Sequence, residues 1–466
     1  MGLFILFLIT LLFWGLNYAI TKGDFLAPSN IFCEMFFLYE LVCILGQSYY
    51  AITIHAETVV VITCGLVVFT LFQIISMSKG ASTYQSSSTI ELKPKYINLP
   101  QKYVYALIVL QICTIFFFIR YLQAIAGAYG SGGSSLPEMI SLYDTMTKFW
   151  TTTFANLNVS IPVFYRIFNP ITSAAAYIVL YVAVNNFMVR KKVKISHVVV
   201  VGLLCILILL NGSRSPLLRI VTMVVILEYV FYYRIRQRKN KGLKNFAKLL
   251  RVMLLVAAAM FLTLIFMGRV EKFTGLLSNL FVYLGAPIVN LDTFFVKSGV
   301  SFWGGLSSLL GEHTFGRLYS YIGKIFGIDA FTSIKEINSF TYSANGIEIG
   351  NVYTTFYPFV YDFGYAGVLP MISIVAAYYT FSYKKVLKKK GRGVIDFRLF
   401  IYSYLFNDLI MLTFSNRFFE TVLDASFIKH FLFSWLLVQI VFEHSLNFGK
   451  YRFKFVGSMR SLKSPK

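Results

Sequence analysis

Uninterrupted apolar runs of roughly 20 residues recur along this chain, and each is long enough to cross a hydrocarbon core about 30 Å thick. Inside lipid every backbone N–H and C=O must be satisfied internally, which leaves only helices and closed barrels. A barrel would show short segments of alternating polarity, and these runs do not alternate. The sequence therefore predicts an all-α, polytopic integral membrane protein. Composition agrees: 57% of the 466 residues are apolar and only 14% charged, where soluble domains carry about a quarter charged residues. The spans read approximately 2–20, 31–53, 57–78, 103–126, 161–188, 196–212, 215–233, 250–267, 365–383, 398–414 and 426–446, about 11 helices in one membrane domain covering 1–466.

The formal charge of +23 suggests a nucleic-acid partner until it is sorted by position. Thirty of the 43 Lys and Arg fall at Lys22 and in 79–102, 190–194, 234–251, 384–398 and the tail 450–466, accompanied only by Asp24, Glu91 and Asp396. The rest of the chain is slightly acidic. Basic loops confined to one side follow the positive-inside rule, with anionic lipid as a further partner, and no nucleic acid is implied. These loops and the basic tail are thus read as cytoplasmic, with the N-terminus outside. The first cation is Lys22, so the opening span lacks the basic flank of a cleaved signal peptide. The outer side then receives 127–160, the 211–215 hinge, a large loop 268–364 and a short turn 415–425. Gly127, Gly130, Gly132 and Gly133, with neighbouring serines, mark 127–137 as flexible. The large loop is aromatic and contains short apolar pieces such as 276–284, which predicts ordered helices on or dipping into the outer face.

Cys33, Cys43, Cys64, Cys113 and Cys205 all lie in or beside apolar spans, as small buried hydrophobes do. None falls in an outer loop, and no disulfide framework is predicted. His55, His197, His313, His430 and His444 show no ligand spacing, so neither a metal site nor a cofactor is predicted. No internal repeat of the kind common in transporters is found.

Chemistry concentrates at Asn211-Gly212-Ser213-Arg214-Ser215-Pro216-Leu217-Leu218-Arg219, a polar hinge between two apolar spans. Arginine is costly beside a bilayer core and marks function by default. Ser215 followed by Pro216 reads as a helix start, and the free N–H groups of that start point outward. Arg214 lies just before it and Arg219 about one turn inside. Two guanidiniums at a helix N-terminus suit a phosphate or diphosphate, with Ser213 and Ser215 as further donors. The plainer alternative is that both arginines snorkel to headgroups or pair with acids.

Arg120, Arg166, Arg269, Arg317 and Arg417 lie on the same predicted side. Arginine supplies 7 of the 13 basic residues outside the cytoplasmic stretches, against 9 of 30 within them, a tilt toward the residue that forks onto phosphate oxygens. Taken singly, each reads as an interfacial anchor. Asn351–Gly367, with Tyr353, Tyr357 and Asp362, offers rings and hydroxyls suited to a sugar, although an aromatic belt would look the same. In the polar turn 415–420 an Arg417–Glu420 ion pair is the plain reading of Arg417.

Three places resemble the Wzy-type oligosaccharide repeat-unit polymerases, which build O-antigen, capsule and related bacterial polysaccharide. They are the Pro-containing turn Asp24–Pro28, the Gly-Ser-Arg hinge with its helix, and Asn351–Gly367 containing Asp362-Phe363-Gly364. Arg417 falls where these proteins place a late outer arginine. A pair of Arg-x10-Gly loops described for some relatives is not found. The resemblance implies a membrane glycosyltransferase with a GT-C-like fold. Its donor and acceptor would both be linked to polyprenyl diphosphate, at the outer face of the cytoplasmic membrane, with a chain-length regulator and a flippase as partners. Charge on the departing diphosphate must be stabilised. The arginines fill that role, Arg214 first, then Arg219, with Arg417 and Arg317 as candidates. His313, Glu312, Asp362 and Glu348 can each serve as the base for the acceptor hydroxyl. A flippase of the same lipid-linked sugar and an O-antigen ligase are the competing readings.

Overall fold

A computed structural model describes residues 1–78, 93–148, 159–213, 215–236, 281–332, 340–388, 391, 393–443, 445–448 and 451–454. Among the described residues the chain is mainly helical, and eight helices are long and apolar enough to cross a membrane. The long elements are α1 (Gly2–Ile20), α2 (Pro28–Tyr50), α3 (Ala56–Ser78), α4 (Gln101–Ala128), α5 (Leu136–Lys148), α6 (Val163–Arg190), α7 (Ile195–Leu210) and α8 (Ser215–Arg236). There follow α9 (Ala286–Ser298), α10 (Gly316–Phe326), α11 (Asp329–Thr332), α12 (Phe356–Phe363), α13 (Val368–Lys388), α14 (Phe397–Ile410), α15 (Arg417–Val422) and α16 (Ala425–Val438). Two of the expected spans, at α7 and α14, form helices of 16 and 14 residues. The expected span 250–267 lies outside the described residues. Two short antiparallel hairpins, Thr341–Tyr342 with Glu348–Gly350 and Ser445–Phe448 with Tyr451–Lys454, complete the structure.

The chain divides into two compact units. The first comprises 1–91, 236–388 and 405–427. Here α1 packs on α2 and α3, and α13 lies along α3. Short connections make α1, α2 and α3 antiparallel neighbours. The turn before α2 is fixed by the Asn30 side chain, which donates to the Asp24 carbonyl (2.6 Å) and the Thr21 hydroxyl (2.9 Å). Pro28 sits in the first turn of α2, where its missing N–H costs nothing. Phe32 stacks on Phe69 at 4.1 Å, and a Cβ at Gly65 would run into Phe356 and Phe32. Glycine at 65 thus lets the head of α12 enter between α2 and α3.

The segment after α12 breaks at Gly364, whose φ of +70° is unfavourable for residues bearing a Cβ. A Cβ there would lie 2.7 Å from the Ser301 carbonyl oxygen and 2.8 Å from that of Phe302. The irregular loop 301–307 is laced to the same place: Leu306 N–H donates to the Tyr361 carbonyl (2.6 Å) and Ala366 N–H to the Phe302 carbonyl (2.9 Å). A 3-10 turn at Tyr365–Gly367 then leads into α13.

The second unit comprises 92–235, 389–404 and 428–466. In it α4, α6 and α7 pack against one another, and Phe118 of α4 stacks on Tyr165 of α6 at 4.6 Å. At one end Asn186 exchanges two 2.8 Å hydrogen bonds with the Ile97 backbone. Arg234 and Asp396, both nearly fully buried, form a 2.7 Å ion pair. Burial of the pair requires both members, since removing one leaves an uncompensated charge.

Candidate functional site

The hinge forms as a tight corner in the second unit. Helix α7 ends at Leu210, and the Asn211 side chain donates to the Leu207 carbonyl (2.7 Å) while accepting from the Tyr165 hydroxyl (3.0 Å). Gly212 turns the chain with φ +68°, and a Cβ there would lie 2.8 Å from Cβ of Asp144. Ser213 is exposed, and Ser215 opens α8 with Pro216 in its first turn. Arg214 lies outside the described residues, as does Arg269.

Asp144 belongs to α5, which begins at the end of the stretch 127–137 read above as flexible and runs on through the outer loop. Ser135 N–H donates to the Glu138 carboxylate (2.9 Å) at the start of this helix. That is half of a Ser-x-x-Glu capping box, a signal present in the sequence and outweighed there by the preceding glycines. The buried Asp144 and the aromatic set Phe118, Tyr121, Tyr143 and Tyr165 surround the Asn211 side of the hinge. Burial pushes the Tyr143 hydroxyl up to about 12, so it is a neutral donor there.

Arg219 points into an aromatic nest. Its Nη1 donates to the Tyr404 hydroxyl (2.9 Å) and its guanidinium lies 4.5 Å from the Tyr404 ring centre. Tyr404 in turn stacks on His430 (4.6 Å) and meets Tyr177 edge-on (5.1 Å). A cation–π contact of this kind holds the guanidinium in one orientation. Arg120 and Arg166 are exposed on α4 and α6, and Arg120 donates to the Gln123 side chain (3.3 Å).

In the first unit three stretches far apart in sequence pack together. Asp362, buried near the end of α12, accepts the backbone N–H groups of His313 (3.0 Å) and Thr314 (2.6 Å). Burial raises its pKa, opposed by those hydrogen bonds. Asp362 therefore latches the 311–315 loop onto α12. The His313 ring lies 4.1 Å from Tyr361 and 5.9 Å from Tyr357. Burial lowers its pKa, which favours the neutral imidazole. Tyr353 stacks on Tyr357 at 4.3 Å and Phe294 closes the edge at 4.7 Å, completing an aromatic platform.

The turn carrying Arg417 lies beneath this platform's helix. Thr355 N–H donates to the Leu412 carbonyl (2.9 Å), and Phe419 contacts both Phe359 (5.8 Å) and Phe315 (5.9 Å). Arg417 and Glu420 form the 3.2 Å ion pair, each about one-third exposed. Among the described residues, Ser415 Oγ, Asn416 Nδ2 and Arg417 Nε are buried without a hydrogen-bond partner. Buried polar atoms are normally satisfied, and here three consecutive residues each carry an unmet group. Arg317 is exposed in the first turn of α10.

The structure thus sorts the sequence candidates into two sets. Ser213, Ser215, Arg120, Arg166 and Arg219 belong to the second unit, and His313, Arg317, Tyr353, Tyr357, Asp362 and Arg417 to the first. Sequence reasoning passed over Asp144, Tyr404 and a pair formed by His55 and Asp292. No family model, curated protein or solved structure matches this chain.

Proposed function

We propose that this chain is a membrane glycosyltransferase that polymerises polyprenyl-diphosphate-linked oligosaccharide repeat units into surface polysaccharide, O-antigen or capsule. The reading places about 11 spans in the cytoplasmic membrane, in a GT-C-like arrangement with the hinge and large loop outside. The observation that supports it best is the packing of the His313 loop, the segment from Tyr353 through α12 and the Arg417 turn into one assembly. That assembly joins stacking surfaces for a sugar to an arginine turn with unmet polar atoms.

In this mechanism the part-exposed rings of His313 and Tyr361 face a glycan, the buried Tyr353 and Tyr357 back them, and Asp362 positions them through the loop backbone. Arg214 and Arg219, flanking Ser215-Pro216 in the sequence, are the residues suited to carry the charge of a diphosphate, and Arg417 is a separate candidate for that role. Tyr404 pre-orients Arg219, which lowers the cost of ordering it at the moment of reaction.

One feature favours transport instead. The broken helix at Gly364 resembles the discontinuous spans that line transporter cavities. Surface polymer on gels separates these readings. In cells expressing Arg214→Ala at normal protein level, the polymerase reading predicts single repeat units at the surface. Lipid-linked polymer would indicate a ligase, neither product a flippase, and unchanged long chains would overturn the diphosphate role of Arg214.

A further inference from the structure

The same unit holds a second histidine in a more purposeful setting than His313. His55 lies in the short connection between α2 and α3, with its side chain about half exposed at 49%. Asp292 of α9 is buried and receives three hydrogen bonds of 2.7 Å. Its Oδ1 accepts from the His55 backbone N–H and from the Thr58 hydroxyl, which completes the start of α3. Its Oδ2 is not needed for that task and meets Nδ1 of the His55 ring. A carboxylate at this distance requires a proton on Nδ1, so the neutral ring presents an unprotonated Nε2 outward. At His313, by contrast, the Asp362 carboxylate is engaged by the His313 and Thr314 backbone N–H groups.

Helix α9 ties this pair to the aromatic platform. Asn290 donates to the Val352 carbonyl (2.8 Å), and Phe294, one turn later, packs on Tyr357 (4.7 Å). Asp292 lies between them on the face toward α3. One short helix therefore sets the His55 ring relative to the surface proposed for the glycan.

We propose that His55 is the base that accepts the proton of the acceptor sugar hydroxyl, with Asp292 as its positioning residue. This rests on the glycosyltransferase reading. In the step, His55 Nε2 takes the hydroxyl proton and the acceptor oxygen bonds to the donor's anomeric carbon. The bond from that carbon to the diphosphate oxygen breaks, its electron pair leaving with polyprenyl diphosphate, and the imidazolium releases its proton to water. A base held by a carboxylate contributes about 10²–10⁴-fold in rate.

Asp292→Asn tests this with little structural change. The amide oxygen still accepts from His55 N–H and Thr58, while the amide nitrogen now donates to Nδ1 and drives the ring proton to Nε2. Purified full-length wild type, Asp292→Asn and His55→Gln in liposomes are given a lipid-diphosphate-linked repeat unit. Elongation rate and melting temperature are read for each. The expected result is an active wild type and a loss of about 10²-fold or more in kcat for both variants, with KM and melting temperature near wild type. Retained kcat in either variant beside an active wild type would overturn the role of the dyad alone. A loss of kcat accompanied by an equal loss of folded protein in both variants would make the pair structural and also overturn it. An inactive wild type would overturn the polymerase reading and this inference with it.

Discussion

At the scale of single residues, the informative side chains are those whose partners lie far away in sequence. Arg219 meets Tyr404 across 185 positions, and His55 meets Asp292 across 237. No periodicity encodes such pairings, which is why Arg219 was legible as a membrane-edge cation but not as one seated on a ring. His55 carries a definite pH signature. Its pKa is raised, first by the hydrogen bond to Asp292 and then by that carboxylate's charge, with Glu57 adding to the effect. Among the described residues, Tyr365 also lies near Glu57. A raised folded-state pKa stabilises below the unfolded value of about 6.5. That contribution is lost as pH rises from there through the folded pKa. Over the same window the base becomes available. Elongation rate is therefore expected to rise while melting temperature falls, and His55→Gln should flatten both trends. Parallel trends of the same sign would contradict the assignment.

At the scale of elements, the start of α8 at Ser215 and the break at Gly364 follow from Ser-Pro and Gly where chain geometry demands them. Helix α5 was missed because four glycines before it argued for mobility while Ser135 and Glu138 capped a helix. The Gly364 corner yields a clean contrast. Gly364→Ala combines a left-handed backbone with a collision against the carbonyls of residues 301 and 302, and is expected to cost about 1–3 kcal/mol. Gly127→Ala, inside α4 with open space around it, is expected to be neutral or stabilising by up to about 1 kcal/mol. Thermal unfolding of the two variants in detergent checks both, and equal stability would deny that the corner is held this tightly.

At the scale of the whole molecule, continuous apolar runs made the helical membrane class plain, because lipid allows so few alternatives. Exact span counts are harder to read, since α7 and α14 are short and polar turns interrupt the late helices. Which segments meet was not legible: the His313 loop, α12 and the Arg417 turn are separated by some 40–50 residues each and converge only through packing. Sidedness rests on the basic loops. A Ser213→Cys variant is thus expected to react with a membrane-impermeant thiol reagent in intact spheroplasts, and labelling only after lysis would invert the topology.

The central claim is elongation of a lipid-linked glycan by this chain alone. Purified protein incubated with one defined polyprenyl-diphosphate-linked repeat unit, followed by gel separation of the products, measures it directly. The account predicts a ladder spaced by one repeat unit that is lost in Arg214→Ala. Recovery of the substrate unextended by the wild-type protein would contradict it.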